Sequence, residues 1–468
     1  MRGNPPILLS FRNKLKKKIY NPVNLIPASF LFTIIAGSLL LMLPFASAPG
    51  ERTSYLTALF TATTSVCVTG LVVVDTYSHW SFFGQLIIAM LAQIGGLGMI
   101  AVAASIMLIS KKKFTLTDRL LLKDSFNLNS SSNLLSFLIK VFRGTFIFEG
   151  IGAVLYMLVF IPKFGILKGI WASIFNAVSA FCNAGMDVLG ANSLIDYRGN
   201  ALVMAVTECL IIFGGLGFVV WFDLQKGIAN GFKNRFSPIT TIRRFTEHTK
   251  IVLFVTTLLL LEGMLLFLFF EWNNPLTLGN LSVSGKLANA FFESVTMRTA
   301  GFATIPQENL SEASCLIAYV LMFIGGSPVG TAGGVKTVTI FLLFMNVRTY
   351  LKDANENVIF NKRVAASLMK KAAAIVVVSF TVICTLTLVL LAVNPVPLED
   401  ALFEVVSACA TVGLSRGLTA SLNAPARLVI ILAMYLGRIG PISMVAFFSR
   451  KNYDSNKIQY AEGNFYVG

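Results

Sequence analysis

Along this chain, apolar runs long enough for a membrane helix alternate with shorter stretches of small and hydroxylated residues. The runs over 25–45, 83–110, 137–161, 199–222, 251–270, 313–346, 372–393 and 425–449 carry few charges. About 20 such residues in a helix cross the hydrocarbon core of a bilayer, so eight spanning helices are predicted. Between paired runs lie four shorter segments, 55–71, 171–187, 286–303 and 398–415. Each follows an outer run and precedes an inner one.

The short segments share a cadence. They read FTATTSVCVTGL at 60–71, FNAVSAFCNAGM at 175–186, FESVTMRTAGF at 292–302 and FEVVSACATVGL at 403–414. Aligned on Gly70, Gly185, Gly301 and Gly413, they are spaced by 115, 116 and 112 residues. So regular a period marks an internal repeat. An apolar-aromatic start, a short helical stretch and a bend at glycine describe a half-helix that enters the membrane and returns as an extended strand. The predicted fold is an all-α polytopic membrane protein. Eight transmembrane helices and four re-entrant pore loops form four quasi-equivalent repeats around one pore. The expected divisions are a basic N-terminus to residue 24, repeats over 25–113, 114–250, 251–371 and 372–450, and a tail from 451 to 468. The alternative, glycine turns that merely close re-entrant packing elements, accounts less well for four recurrences at one period.

Composition supports the membrane reading and disposes of another. The chain is 55% hydrophobic and 13% charged, with mean hydropathy +0.75. Its net charge of +16 invites a nucleic-acid partner. However, 28 of the 38 Lys and Arg fall in five segments, 2–18, 111–143, 226–250, 348–371 and 450–457, on one side of the predicted helices. Clustered basic residues in short loops mark the cytoplasmic face. Both termini are therefore expected in the cytoplasm, with anionic lipid or an acidic partner, rather than nucleic acid, as the basic surface's contact. The first apolar run is too long for a signal peptide's core and is expected to be retained. The six cysteines have no metal-ligand spacing and read as structural thiols. His79 and His248 stand alone in predicted loops, so no enzyme is expected. The loops 223–250 and 347–371 are expected to carry short surface helices.

Candidate chemistry concentrates at the bends. A cation that leaves water needs replacement oxygens, and rings of backbone carbonyls supply them. The candidate cation-binding residues are Val68, Thr69 and Gly70; Asn183, Ala184 and Gly185; Thr299, Ala300 and Gly301; and Thr411, Val412 and Gly413. They share only the glycine, as a site read by backbone requires. Four half-helix C-termini, each carrying about −0.5 charge, would face the same cavity.

The third inner run is interrupted by Gly325-Gly326-Ser327-Pro328-Val329-Gly330-Thr331-Ala332-Gly333-Gly334, which no continuous helix accommodates. Irregular backbone at membrane depth survives where protein or a water-filled cavity satisfies it. The loop is thus a candidate gate beneath the filter. Arg438 follows Gly413 by the same 25 residues that separate Gly326 from Gly301, and is expected to hold carbonyls freed by the break. For Lys336, gating and snorkelling toward the cytoplasm stand even. The glycines at 95, 96 and 98 and at 214, 215 and 217 read as close helix packing. Arg298 is expected to form an ion pair with Glu293 or Glu404. Glu149, Glu208 and Glu262 are expected to bond between helices.

The four bends, the broken third inner helix and the motifs VTGL at 68–71, RTAGF at 298–302, TVGL at 411–414 and RIGP at 438–441 resemble the Trk/Ktr/HKT superfamily of potassium transporters. Over nearly its whole length the chain is similar to the bacterial Ktr-type membrane subunit. The resemblance implies potassium uptake across the cell membrane, with K+ in the filter, Na+ as a second ion and no covalently bound cofactor. It also implies a homodimer with one pore per protomer on a cytoplasmic ring of RCK-type subunits, which would carry the controlling nucleotide. A sodium- or proton-coupled symporter using Glu149, Glu208 or Glu262 is the rival reading. The tail over 464–468 is too apolar to hang free. Removing residues 465–468 is expected to weaken dimerisation, measured as a shift toward monomer in mild detergent; an intact chain that is a stable monomer would contradict this.

Overall fold

Residues 22–98, 134–354 and 356–440 are described by a computed structural model. The basic N-terminus, the Lys111–113 cluster, Pro441 and the tail lie outside these residues. The described chain is almost entirely helical. Four successive segments each run outer helix, half-helix, inner helix. The first comprises Pro22–Leu41, Tyr55–Cys67 and Phe82–Leu97. The second comprises Leu134–Phe164, Ile166–Cys182 and Ala201–Leu216. The third comprises Glu247–Glu271, Val283–Thr296 and the pair Glu312–Phe323 and Thr337–Leu351. The fourth comprises Ala366–Val393, Leu398–Ala410 and Ala424–Ile439.

Local chemistry sets the helix starts. Ser54, Ser81, Asn200, Thr246, Ser282, Ser311 and Asn423 each accept a hydrogen bond from a backbone N–H of the first turn, satisfying donors that a helix leaves unpaired. Among the described residues, Ser136–Phe164, Glu247–Glu271 and Ala366–Val393 are each long and apolar enough to cross a membrane. Their outward faces carry Phe146, Leu158, Phe254, Leu265, Phe380 and Leu388, all exposed, which suits a lipid solvent rather than water. Inside, the aromatic that opens each half-helix cadence is buried: Phe60, Phe175, Phe292 and Phe403 are no more than 2% exposed.

The inner helices end earlier than their apolar runs suggest. The second, expected to continue through residue 222, stops at Leu216; Gly217 takes φ +89° and the chain turns by 99° into Phe218–Lys233. The fourth, expected to reach 449, stops at Ile439 before Gly440 at φ +85°. The first ends at Leu97 before Gly98 at φ +88°, and residues 99–110 lie outside the described chain. The terminators share one cause, a left-handed backbone that glycine adopts without a Cβ clash. Three residues earlier, Gly95, Gly214 and Gly437 pack as close-approach positions. A Cβ on any of them would lie 2.1 Å from the carbonyl oxygen of Val66, Phe181 or Cys409 respectively.

The loops expected on the cytoplasmic side differ from expectation in one respect. The 223–250 segment carries a short helix, Pro238–Arg243, but 347–371 carries a hairpin of Val358–Ile359 and Lys362–Arg363, whose Lys362 pairs with Glu247 at 2.7 Å. His248 lies inside the third outer helix rather than in a loop. His79 ends a four-residue helix and shares a hydrogen bond with Thr53.

Backbone proximity also fixes the first outer corner. A Cβ on Gly84 would meet the Ala46 carbonyl oxygen at 2.2 Å, the same oxygen that accepts from the Ser81 N–H. Gly84→Ala is therefore expected to destabilise the protein by about 1–3 kcal/mol through overpacking, read as a lower thermal midpoint in detergent. An unchanged midpoint would show that the corner yields without cost.

Candidate functional site: a glycine ring and the loop beneath it

Each half-helix is followed by a left-handed residue two positions before its glycine, which is the cap itself in repeats one, two and four. Val68 has φ +56°, Asn183 +58°, Thr299 +71° and Thr411 +53°, and the glycines Gly70, Gly185, Gly301 and Gly413 follow at +102°, +64°, +84° and +99°. Glycine's freedom was foreseen at the second of these positions; the strain at the first was not. A β-branched Val or Thr at positive φ is a genuine outlier, and such strain persists only where surrounding structure over-determines it.

Hydroxyls in each half-helix provide part of that support. The Gly70 N–H donates to Thr64 Oγ1 at 2.9 Å, the Met186 N–H to Ser179 Oγ at 3.1 Å and the Gly413 N–H to Ser407 Oγ at 3.0 Å. In the third repeat Thr296 Oγ1 donates to the Phe302 carbonyl at 2.6 Å. A Ser or Thr six residues before the glycine in three repeats, and five in the other, is a signal the sequence held and our sequence reading missed.

The glycines close a ring. A Cβ on Gly70 would fall 2.7 Å from the Ala184 oxygen, on Gly185 2.8 Å from the Ala300 oxygen, on Gly301 2.4 Å from the Val412 oxygen, and on Gly413 2.1 Å from the Thr69 oxygen. The order runs from repeat one through two, three and four and back to one. The structure thus brings together the backbones of all four proposed cation-binding segments, with carbonyls Thr69, Ala184, Ala300 and Val412 at the contacts.

Strands leaving the ring are tied back by buried carboxylates. Glu404 accepts from Ser415 Oγ at 2.8 Å and from the Thr419 hydroxyl. Glu293 accepts from Gln307 Nε2 at 2.6 Å. Neither pairs with Arg298, so the expected ion pair is not formed. Arg298 is buried and its Nη2 donates instead to the Gly325 carbonyl at 3.2 Å. Both glutamates lie inside their half-helices and are taken by the returning strands, whereas Arg298 follows its helix and reaches the broken inner helix.

The 325–334 loop is held by the second repeat and by its own. Ser327 N–H and Thr331 N–H donate to the Gly215 and Gly214 carbonyls, at 2.9 and 3.1 Å, and Phe218 N–H donates to Val329 O at 3.0 Å. Thr331 Oγ1 donates to Phe181 O at 3.1 Å. Gly333 N–H donates to Thr299 Oγ1 at 3.1 Å. The loop's ends are clipped to each other by Gly325 N–H to Val335 O at 3.0 Å and Thr337 N–H to Gly326 O at 3.1 Å. Val329, at φ +63°, is a fourth strained β-branched residue. Gly326 and Gly330 approach the Gly215 and Gly214 oxygens closely, and Pro328 O faces Gly217.

Arg438 reaches the loop as its spacing suggested. Its Nη1 donates to Thr331 O at 2.7 Å and its Nη2 to Gly95 O at 2.5 Å, so one guanidinium from repeat four joins the loop to the first inner helix. Lys336 turns back toward the loop rather than toward water, its Nζ donating to Ala332 O at 2.6 Å. Of the three membrane glutamates, Glu149 bonds between helices as expected, accepting from Gln93 Nε2 at 3.2 Å. Glu208 and Glu262 find no hydrogen-bond partner among the described residues, and Glu262 is exposed on its helix, so that expectation fails for both.

A membrane-embedded ring of carbonyls with a cationic loop contact below it defines a cation transporter by class. The chain belongs to the TrkH family, described as cation transport protein, which matches residues 9–459. It is therefore a membrane transporter, not an enzyme. It is 38% identical to the Enterococcus hirae potassium/sodium uptake protein NtpJ over 98% of this chain and all of that one. It is 35% identical to the Bacillus subtilis Ktr system potassium uptake protein B, covering 96% of this chain and 97% of that one. The crystal structure of the potassium transporter TrkH from Vibrio parahaemolyticus shares the fold, with TM-score 0.70 at 18% identity, covering 90% of this chain and 85% of that one.

Any side chain on a ring glycine must displace a neighbouring repeat's carbonyl. Gly70→Ser, Gly185→Ser and Gly413→Ser are each expected to reduce preference among alkali cations by about tenfold, equivalent to ~1.4 kcal/mol of differential binding, while membrane expression is retained. Competitive uptake measurements check this; unchanged preference in all three would remove the filter assignment.

Proposed function

We propose that the protein is a potassium uptake channel or channel-like transporter of the cell membrane, with a backbone-lined filter and an intramembrane gate. The observation that carries this reading is the closed ring of four glycine-to-carbonyl contacts, which gathers neutral oxygens at one point and leaves side-chain identity free. In this reading the chain has eight spanning helices and four re-entrant loops, with both termini in the cytoplasm. Potassium is the cargo, sodium is a second ion, and no nucleotide is held by this chain. The names of the NtpJ and Ktr relatives support the ion assignment. A homodimer on a cytoplasmic RCK-type ring, with the nucleotide on the ring, follows from the resemblance to Ktr systems. Glu149 is engaged in helix packing and Glu262 faces outward, which favours the channel over coupling through these carboxylates. Potassium-dependent growth and flux in a host lacking its own uptake systems test the function directly. Flux that requires a sodium or proton gradient at all potassium gradients would favour the symporter.

The gate reading rests on the loop's position. Loop backbone at membrane depth is satisfied by repeats two and three and by Arg438, so it has a defined seat under the ring. Arginine can hold two carbonyls at once while presenting charge to an approaching cation. Charged hydrogen bonds contribute about 1.5–3 kcal/mol each. Arg438→Ala, or deletion of part of 329–333, is expected to raise potassium flux at least tenfold in the absence of any cytoplasmic partner. Normally folded variants whose flux stays at the closed level would make the loop a packing feature.

A further inference from the structure

Arg298 carries a charge for which the fold supplies no counter-charge. The residue is 8% exposed, and its Nη2 donates to the neutral carbonyl of Gly325. Among the described residues no carboxylate forms an ion pair with it, and its Nε has no hydrogen-bond partner. Buried charges in proteins are paired as a rule, because an unpaired one is costly to take out of water. Arg298 also lines a cavity of about 20 Å³ between the second inner helix and the third outer helix. Thr256 of that outer helix lines the same cavity, is 8% exposed, and leaves its Oγ1 without a partner. The remaining wall is glycine backbone and apolar side chains, among them Ile212, Leu260 and Val295. A space of this size admits one water-sized guest and no polyatomic ion.

Two idle side-chain groups thus line one small space, a charged N–H and a hydroxyl able to donate. Water can accept from both, but it then aims its own protons at an apolar wall, where unmet donors are costly. A guest that only accepts hydrogen bonds leaves no donor unmet, and a negative one also supplies the missing charge. We propose that Arg298 and Thr256 hold one small monovalent anion, a chloride ion in chloride-containing media, as the counter-charge of Arg298. Arg298 stands two residues before Ala300, whose carbonyl lies at a ring contact. Bound chloride therefore offsets a positive charge beside the cation path, and cation flux depends on the anion. That dependence rests on the function proposed above; the anion site does not.

The test uses the full chain, purified and crystallised in mild detergent with bromide in place of chloride. Anomalous density for Br− touching Arg298 Nε and Thr256 Oγ1 supports the site; a water in the cavity, or no density there, overturns it. In solution at constant potassium, chloride is expected to raise the thermal midpoint relative to gluconate, as a ligand of the native state does. Thr256→Val is expected to need about tenfold more chloride for the same rise, the order of one lost hydrogen bond to a charged group, with Thr256→Ser restoring the response. A midpoint equally responsive in Thr256→Val overturns the site. Should Thr256→Val fail to insert, the bromide density decides alone. In proteoliposomes, replacing chloride by gluconate on both sides is expected to lower potassium flux about threefold, the order of a well-screened repulsion between unit charges. Unchanged flux with bromide seen in the cavity overturns the effect on transport alone. A chain that moves no potassium in either anion overturns the proposed function, and the bromide density still decides the site.

Discussion

The constraint on which the rest depends is the approach of four backbones at the ring, where each glycine faces the carbonyl of the next repeat with no room for a Cβ. Main chain can come this close only if each segment arrives from the same direction and stops at the same depth. The half-helices supply direction: their buried phenylalanines anchor one end, and Thr64, Ser179, Thr296 and Ser407 clamp the strand at the other. The inner helices supply depth, because Gly95, Gly214 and Gly437 let them press against the final carbonyls of the half-helices. Strained residues at Val68, Asn183, Thr299 and Thr411 are tolerated because both neighbours are fixed.

Beneath the ring, the third repeat departs from the others. Where inner helices one, two and four simply end at a glycine, the third unwinds, crosses to repeat two and returns before resuming at Thr337. Its exposed peptide groups find substitutes for the lost helical bonds in Gly214, Gly215, Thr299 and Arg438. Two of these partners, Gly214 and Gly215, are free to accept because their own helix stops at Leu216. The end of one helix and the break in another are thus the same event seen from two sides. Arg298 ties the loop's first residue to the third bend of the ring, so ring and loop share a wall.

Much of this was readable from residues alone. The period of the repeat, the glycine at each bend and the length of the apolar runs follow from bilayer thickness and glycine's dihedral freedom, which act locally and leave marks in sequence. The reach of Arg438 was also visible, because equal spacing from equivalent glycines implies equal depth. What was not visible depended on partners brought near by folding. Arg298 looked ready for Glu293, five residues earlier, or for Glu404 in the fourth half-helix, but the glutamates are claimed by Gln307, Ser415 and Thr419 on the returning strands. The ends of the inner helices were overrun for a similar reason. Apolar periodicity continues past Gly217, and only the close packing around it shows that the helix turns there.

The tandem construction has a geometric consequence of its own. In an assembly of four identical chains, any segment long enough to cross beneath the ring would be present four times and would collide with its copies. Here the four quarters are encoded separately, so one inner helix can unwind beneath the ring while the other three end at Gly98, Gly217 and Gly440. A lone substitution in that one segment therefore acts once, with no averaging over copies.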